Sequence, residues 1–460
     1  MTQFSSSQSV NCAAGAAPRL RRALSLRHLL IYGMVIVSPM SPMPTFGLLS
    51  ERGGGHVVSA MIIACAAMLF TSISYGRMAQ MYPNAGSSFT YVAKEIHPAL
   101  GYITGWSILL DYVLTALFCV IWPAEQAHSF VPAVPVFVWK IIFGVAFIGL
   151  NIQTIRSSAR LYTGLATAMG AVVIVFLVAA VHYLLVHPSV GSTFFVRPFY
   201  DPQTFTADRL LGCTAIAVMS FLGFDCISTL SEETKNPRRD IMLATVLTCL
   251  ITGLIASVEV YVAQLIWPAT EPFPNVDTAY VWVAGRVWAP LLDVLGFTLL
   301  VGMLGSGLAA HLGSARLLYA MGRSGALPPR FFAAIDPKSH IPGNNVLLVG
   351  AILCFGMFFL DFGVVAQTVN FGALIAFMGV NAAAFVRYFV RAPRRTVWNF
   401  VPHLFGFSIC LTLWWNISTP AKVVGSIWMT TGIAVAIWRT RGFRVPLSLE
   451  VPADDSNYNP

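Results

Sequence analysis

The sequence is short of charge. Asp, Glu, Lys and Arg make up only 10% of its 460 residues, where soluble domains carry about a quarter. That excludes a soluble globular class. Cysteine is sparse and unpaired: Cys12, Cys65, Cys119, Cys213, Cys226, Cys249, Cys354 and Cys410 form no CxxC pair, and all but Cys12 fall in apolar runs. A disulfide framework and a structural metal site are therefore not expected, and small packing residues are. There is no HExxH and no credible nucleophile–base pair, so the chain does not read as an enzyme and calls for no cofactor. The net charge of +9 comes without basic runs interleaved with stacking aromatics, which argues against a nucleic-acid partner. Strand-like alternation is missing as well.

What the sequence has in quantity is hydrophobic length. Apolar residues reach 57%, and long runs recur from Leu29 almost to Trp438. This pattern predicts an all-α polytopic membrane protein with the lipid bilayer as its solvent. Twelve transmembrane helices are expected, near 28–50, 57–81, 98–126, 132–152, 158–186, 208–231, 240–267, 288–322, 343–361, 364–390, 398–418 and 421–438. Arg and Lys gather in every second connection, the exceptions being Arg52, Lys140, Arg197, Arg209, Arg286 and Lys422. By the positive-inside rule both termini are then cytoplasmic. The expected organisation is a cytoplasmic tail over 1–27, a transporter domain over 28–438 and a second cytoplasmic tail over 439–460. The Ser/Ala-rich segment up to Pro18 reads as disordered. Arg21 and Arg22 precede an apolar run that is long, proline-broken and without a clear cleavage site, so a retained first span is expected rather than an export signal.

Two stretches depart from the helical pattern. The first is IVSPMSPMPTFGLL, residues 36–49. Pro39, Pro42 and Pro44 each remove a backbone donor and disfavour helix at the preceding residue. Broken backbone at membrane depth is tolerated only inside protein or against a watery cavity. A discontinuous helix around a binding site follows. The second stretch is Met219-Ser220-Phe221-Leu222-Gly223-Phe224-Asp225 in span six. Gly223 permits unusual backbone angles, and Asp225 has the position of an N-cap for a resumed half-helix. Interruptions at matching places in two halves of a chain point to a transporter site between inverted repeats. The resumed helices would aim positive ends at an anionic group, and freed carbonyls would accept from an ammonium. A zwitterion or an amine fits both.

Polar residues inside spans supply further candidates. Asp111 shares a helical face with Thr115, Cys119 and Trp122, with Tyr112 beside it. An intramembrane carboxylate is costly and usually faces the bundle interior. The alternative is a buried Asp satisfied by a neighbouring hydroxyl. Phe221, Phe224 and Tyr112 are candidates to close over a ligand. Gly302, Gly305, Ser306 and Gly307 read as close-packing residues, and His311 as a satisfied buried histidine more than a proton carrier. Asn370 either lines the site or packs. Glu259 and Asp293 are further acids in spans, Glu259 without a nameable partner and Asp293 near a mouth. The connection 82–98 reads as an amphipathic helix, either on the inner surface or forming a wall of an inner gate. The charged strip SEETKNPRRD (231–240) reads as a solvated face able to latch weakly to other inner loops.

Six stretches carry a resemblance: TFGLLS (45–50), SYGRMAQMYPNAGSSFTYVAK (74–94), GWSILLDYV (105–113), SFLGFDCISTLSEETKNPRRDI (220–241), GSGLAAHLGSARLLYAMGR (305–323) and VNFGALIAFMGVN (369–381). Together they run along nearly the whole chain. The chain resembles permeases of the amino acid–polyamine–organocation superfamily, most of all the bacterial putrescine importer branch. The resemblance implies a LeuT-like 5+5 inverted repeat with discontinuous helices 1 and 6, repeat one near 28–186 and repeat two near 208–390, with extra helices near 398–438. It implies alternating access coupled to H+, in a bacterial inner membrane. It places the site between the broken parts of spans one and six, with help from spans three, eight and ten, with backbone contacts from the break at 38–43 and an acidic position tied to gating or protonation at Asp225. Together with the candidates read from the residues themselves, the expected substrate contacts are Ser38, Pro39, Met40, Ser41, Asp111, Tyr112, Met219, Phe221, Gly223, Phe224, Asp225, Ser306 and Asn370. Met219 stands where relatives place a gating aromatic. Pro44 stands where putrescine importers carry an aspartate. Span five lacks the lysine that serves in place of sodium in some members. The expected function is import of an amino acid or related amine. A putrescine or polyamine importer is the first alternative, and a non-transporting nutrient receptor on the same fold the second.

Overall fold

The computed structural model describes residues 24–83, 87–152, 159–187, 194–323, 325–335, 341–393 and 395–439, without the side chains of 159–163 and 232. Helices dominate it. The first apolar run is split into α1 (Leu26–Val37) and α2 (Phe46–Gly53), followed by α3 (Val57–Met81), the short α4 (Ser87–Glu95), α5 (Pro98–Phe130), α6 (Val136–Ile152) and α7 (Ala159–Val186). The second half runs through α8 (Ala207–Ala217), α9 (Pro237–Ile266), α10 (Ala279–Val287), α11 (Ala289–Arg323), the single turn α12 (Pro329–Phe332), α13 (Gly343–Phe359), α14 (Phe362–Phe385), α15 (Val397–Trp415) and α16 (Thr419–Arg439). Between α8 and α9 the chain continues as two 3₁₀ segments, Val218–Phe221 and Asp225–Glu233. Among the described residues, nine helical stretches are long and apolar enough to cross a membrane, and α1, α6 and α13 are shorter apolar helices.

Local chemistry sets many of the helix starts. Pro98 and Pro237 open α5 and α9, where a missing N–H costs nothing. The His97 ring accepts from the Ala99 amide. Thr206 caps α8 through the Arg209 amide and Asp361 caps α14 through the Val364 amide. The lipid-facing surface is aliphatic and aromatic. Trp398 and Trp415 near the ends of α15, and Trp438 near the end of α16, are the most exposed tryptophans, at 78%, 71% and 70%, as an interfacial aromatic belt requires.

The core is built by α3 against α9, α5 against both α11 and α14, and α14 against α15. Close approach of α5 and α14 depends on Gly372, where a Cβ would come within 2.6 Å of the Ser107 carbonyl oxygen. The α3–α14–α15 seam is polar but satisfied: Ser74 bonds Asn381 (2.6 Å) and His403 (2.7 Å), Asn381 donates to Thr71 (3.0 Å), and Arg77 reaches His403 (3.2 Å).

The short helix α4 is not a surface helix. Ser88, Thr90, Tyr91, Val92 and Glu95 are buried, so the segment packs inside the bundle. Its turn Asn84–Gly86 lies outside the described residues. Glu95 is only 1% exposed and gathers Tyr82 (2.6 Å), Arg391 (2.9 Å) and Arg387 (3.8 Å). Burial, and then the bond to Glu95, push the Tyr82 phenol up to about 12. Arg387 lies within, and Arg391 directly follows, a π-turn, Val386–Val390, that ends α14. The charged strip after span six is held through its backbone. Leu24 forms a parallel bridge with it, donating to the Glu233 carbonyl (3.0 Å) and accepting from the Lys235 amide (2.9 Å). Glu95, on the amphipathic helix expected over 82–98, is a further latch at this end of the bundle.

Replacing Glu95 by Gln removes the charge while keeping the shape. We expect a loss of about 1–2 kcal/mol, since both arginines are half exposed and water screens them. A lower melting temperature of the purified protein in detergent is the check, and an unchanged one removes the latch.

Candidate functional site

The two helix breaks meet. α1 stops at Ser38, whose φ of 69° is held by its amide bonding back to Met34. Residues 38–45 then wind through short turns. Ser41 donates to the Ser38 carbonyl, Met43 to that of Met40, and the Thr45 hydroxyl to that of Pro42. The prolines prevent a helix here, and these turns satisfy the backbone that remains. In the second break Gly223 has φ 111°. A Cβ on it would lie 2.4 Å from Ile36 Cγ2, so glycine lets the second break lie directly on the end of α1. Gly33 repeats the device one turn earlier, backing onto Thr248 and Ile227.

Asp225 is not the forward cap its position suggests. Phe224 occupies the N-cap and Asp225 is the first residue of the 3₁₀ segment. Its Oδ1 accepts the Gly223 amide two residues back at 3.3 Å. The carboxylate therefore braces the break itself. A 3₁₀ segment also leaves more irregular backbone around Asp225 than a resumed α-helix would.

α5 brings the second carboxylate. Asp111 is 4% exposed and Asp225 3%. Thr115 donates to Asp111 at 3.1 Å, as the neighbouring-hydroxyl reading expects. The Tyr112 hydroxyl sits 3.3 Å from the Cys226 sulfur, which ties α5 to the second break. Orphaned polar atoms lie on the same elements. Ser41 Oγ from the first break, Ser220 Oγ from the second and Asn370 Oδ1 from α14 are buried without a hydrogen-bond partner among the described residues. Buried polar atoms are normally paired, and a polar ligand is one explanation of an exception.

The remaining candidates take definite seats. Pro39 and Met40 are buried in the first break, with Ser38 half-buried. Met219 is half-buried. Phe221 is buried facing Gly253 of α9. Phe224 packs with Tyr75 and Phe377 at centroid distances of 5.7 and 5.3 Å. Ser306, half-buried, faces Cys119. Asn370 donates to the carbonyls of Ala215 (2.8 Å) and Ile216 (3.4 Å), pinning the end of α8. His311 is satisfied by Asn151 and the Val346 carbonyl. Asp293 is exposed just beyond the first turn of α11.

One feature escaped sequence inspection. At the α10 end of the bundle, the Asp277 carboxylate interacts with Glu125, Asp361 and Glu51, with Lys140 opposing them. These acids come from four separate connections or helix ends, so no spacing announces them. Burial, and then the Glu125 and Asp361 charges, push Asp277 up to about 6.

Broken helices packed back to back inside an apolar bundle, with buried carboxylates beside them, define an integral multi-pass membrane transporter. An amino acid permease family profile matches residues 43–444, and the chain belongs to that family. It is 34% identical over 437 residues to the low-affinity putrescine importer of Escherichia coli (strain K12), covering 93% of this chain and 96% of that one. It is also 26% identical to the branched-chain amino acid permease of Lactococcus lactis, over 84% of this chain and 87% of that one. A cationic amino acid transporter of Arabidopsis thaliana, mitochondrial, is 26% identical over 81% of this chain and 63% of its own length.

Two predictions follow from this geometry. Gly223→Ala forces a side chain into a positive-φ position and costs about 1–3 kcal/mol; it should lower both melting temperature and uptake while membrane insertion is kept. Asp277 is disfavoured as an anion in the folded protein, so its contribution favours folding below its ordinary value near 3.8 and is lost as pH rises towards about 6. Asp277→Asn should therefore melt higher than wild type at pH ~7.5, with the gap closing below pH ~4.

Proposed function

We propose that this protein imports a small organic cation, an aliphatic amine or diamine of the putrescine class, by alternating access driven by a proton gradient. Asp111 and Asp225 carry this reading: two buried carboxylates beside the paired breaks form a locus for an ammonium group. The substrate lies between the broken stretches, with Ser38, Pro39, Met40 and Ser41 on one side and Met219, Phe221, Gly223, Phe224 and Asp225 on the other. Tyr112, Ser306 and Asn370 complete the wall. The acid group around Asp277 supports the same reading, because a surface on which acids outnumber the single Lys140 attracts a cation. Similarity to a putrescine importer and to a cationic amino acid transporter agrees with it.

The same reading includes twelve spans in two inverted repeats, near 28–186 and 208–390, plus two extra helices near 398–438. Both tails are cytoplasmic, the membrane is a bacterial plasma membrane, and the α10 end faces outward. Rocking of the repeats about the breaks then exposes the carboxylates alternately, with no covalent step.

A second reading is supported by Pro44, which puts no acid in the first break, and by similarity to a branched-chain amino acid permease. In that reading the substrate is a zwitterion. Uptake of labelled putrescine into proteoliposomes under an imposed pH gradient separates the two. Diamines and cationic amino acids should compete, and leucine should not. Asp111→Asn and Asp225→Asn should each lower kcat/KM by about tenfold or more, equal to about 1.4 kcal/mol of lost transition-state binding. Competition by leucine alone selects the zwitterion. Binding without uptake selects a receptor. Normal transport by both variants takes the carboxylates out of the site.

A further inference from the structure

Glu259 is used by nothing described so far. It lies on α9, about two turns from the end at Ile266, and is 0% exposed. Neither carboxylate oxygen has a hydrogen-bond partner among the described residues. An ionised carboxylate in such surroundings is very costly unless a partner or a proton compensates it. A leucine would fill the position at lower cost, so the acid calls for a role beyond packing.

The surroundings indicate the role. The Tyr280 hydroxyl on α10 donates to the Glu259 backbone carbonyl at 3.1 Å. The same ring is packed by Phe46 of α2 (5.3 Å) and Phe176 of α7 (5.2 Å). The Val276 carbonyl, just before α10, backs directly onto Gly47 of α2. The backbone at Glu259 is thus tied, through Tyr280, to the contact between α10 and the half-helix that follows the first break. On the packed elements, the charged and titratable groups are otherwise engaged or remote. Arg286 of α10 pairs with Glu271 and lies 3.6 Å over Trp267. Arg52 of α2 pairs with Asp208, and Glu51 beside it is exposed. Tyr183 of α7 stacks on His187 while His182 is exposed. Cys65 of α3 faces Gly253, and Tyr32 and His28 of α1 are exposed.

We propose that Glu259 is a proton-binding site separate from the substrate break, closed by α10 and α2 and wetted when those two move apart. Its ligand is H+ alone. The site holds its proton while sealed and exchanges it with water when open, so proton movement is tied to displacement of α2, the continuation of the broken helix that lines the substrate site. This rests on the proton-driven reading above.

Two measurements on the full-length reconstituted protein test it. Infrared difference spectra between low and high pH need no substrate. Glu259→Gln should remove one protonated-carboxyl C=O stretch, and an unaltered spectrum overturns the proposal. With labelled putrescine, Glu259→Gln should keep exchange within about threefold of wild type while accumulation driven by the pH gradient falls about tenfold or more. Glu259→Asp, which keeps a titrating group, should accumulate more than Glu259→Gln. Wild-type accumulation by the Gln variant overturns the proposal, as does equal loss of exchange and accumulation in both variants, which marks a packing role. If wild type exchanges no putrescine, the transport reading fails by itself, and the infrared result still decides the proton site.

Discussion

The structure depends on where broken backbone can be placed inside a membrane. Unpaired N–H and C=O groups cannot face lipid. Three prolines in the first apolar run and a positive-φ glycine in the sixth make two such breaks. They are stable because each covers the other. Gly223 lies against Ile36, and the turns of 38–45 satisfy much of their own backbone. Around this junction α3, α5, α9 and α14 supply the dry wall. If the glycine were any larger residue, the two breaks would separate and their polar groups would need other partners.

That junction also concentrates cost. Asp111, Asp225, Ser41 and Ser220 are buried polar groups, and only some of their bonding capacity is used within the described protein. Natural proteins depart from full satisfaction mainly where they bind or switch. The satisfied Ser74–Asn381–His403–Arg77 network at the α3–α15 seam is the useful contrast. It has as many polar groups, each with a partner, and it fixes helices in place. The unsatisfied set borders the breaks, where the helices are interrupted.

Motion in such a bundle requires contacts that can be exchanged. One end is held by Glu95 between α4 and the π-turn of α14, and by the Leu24 bridge to the strip after the second break. The other is held by α10 resting on α2. The Leu24 bridge and the α10–α2 contact each join a broken helix or its flank to the rest of the bundle. Loosening one while tightening the other is the simplest way to alternate access without disturbing the α5–α14 contact at Gly372.

The sequence by itself determined the membrane class, the all-helical composition and the position of both breaks. These follow from hydrophobic length and from Pro and Gly, whose effects act within a few residues. It also marked Asp111 and Asp225 as costly, because charge inside an apolar run is visible without coordinates. Tertiary structure alone decided how costly groups are satisfied. Asp225 bonds backward to Gly223 instead of capping forward, α4 is buried instead of lying on the surface, Asn370 pins α8, and Glu95 serves as the latch. The acids around Asp277 come from distant segments, and only the fold shows that the Glu259 carboxylate has no hydrogen-bond partner among the described residues. The physical reason is one of range. Propensity and hydropathy are summed along the chain, whereas hydrogen-bond partners and burial depend on which helices the fold brings side by side.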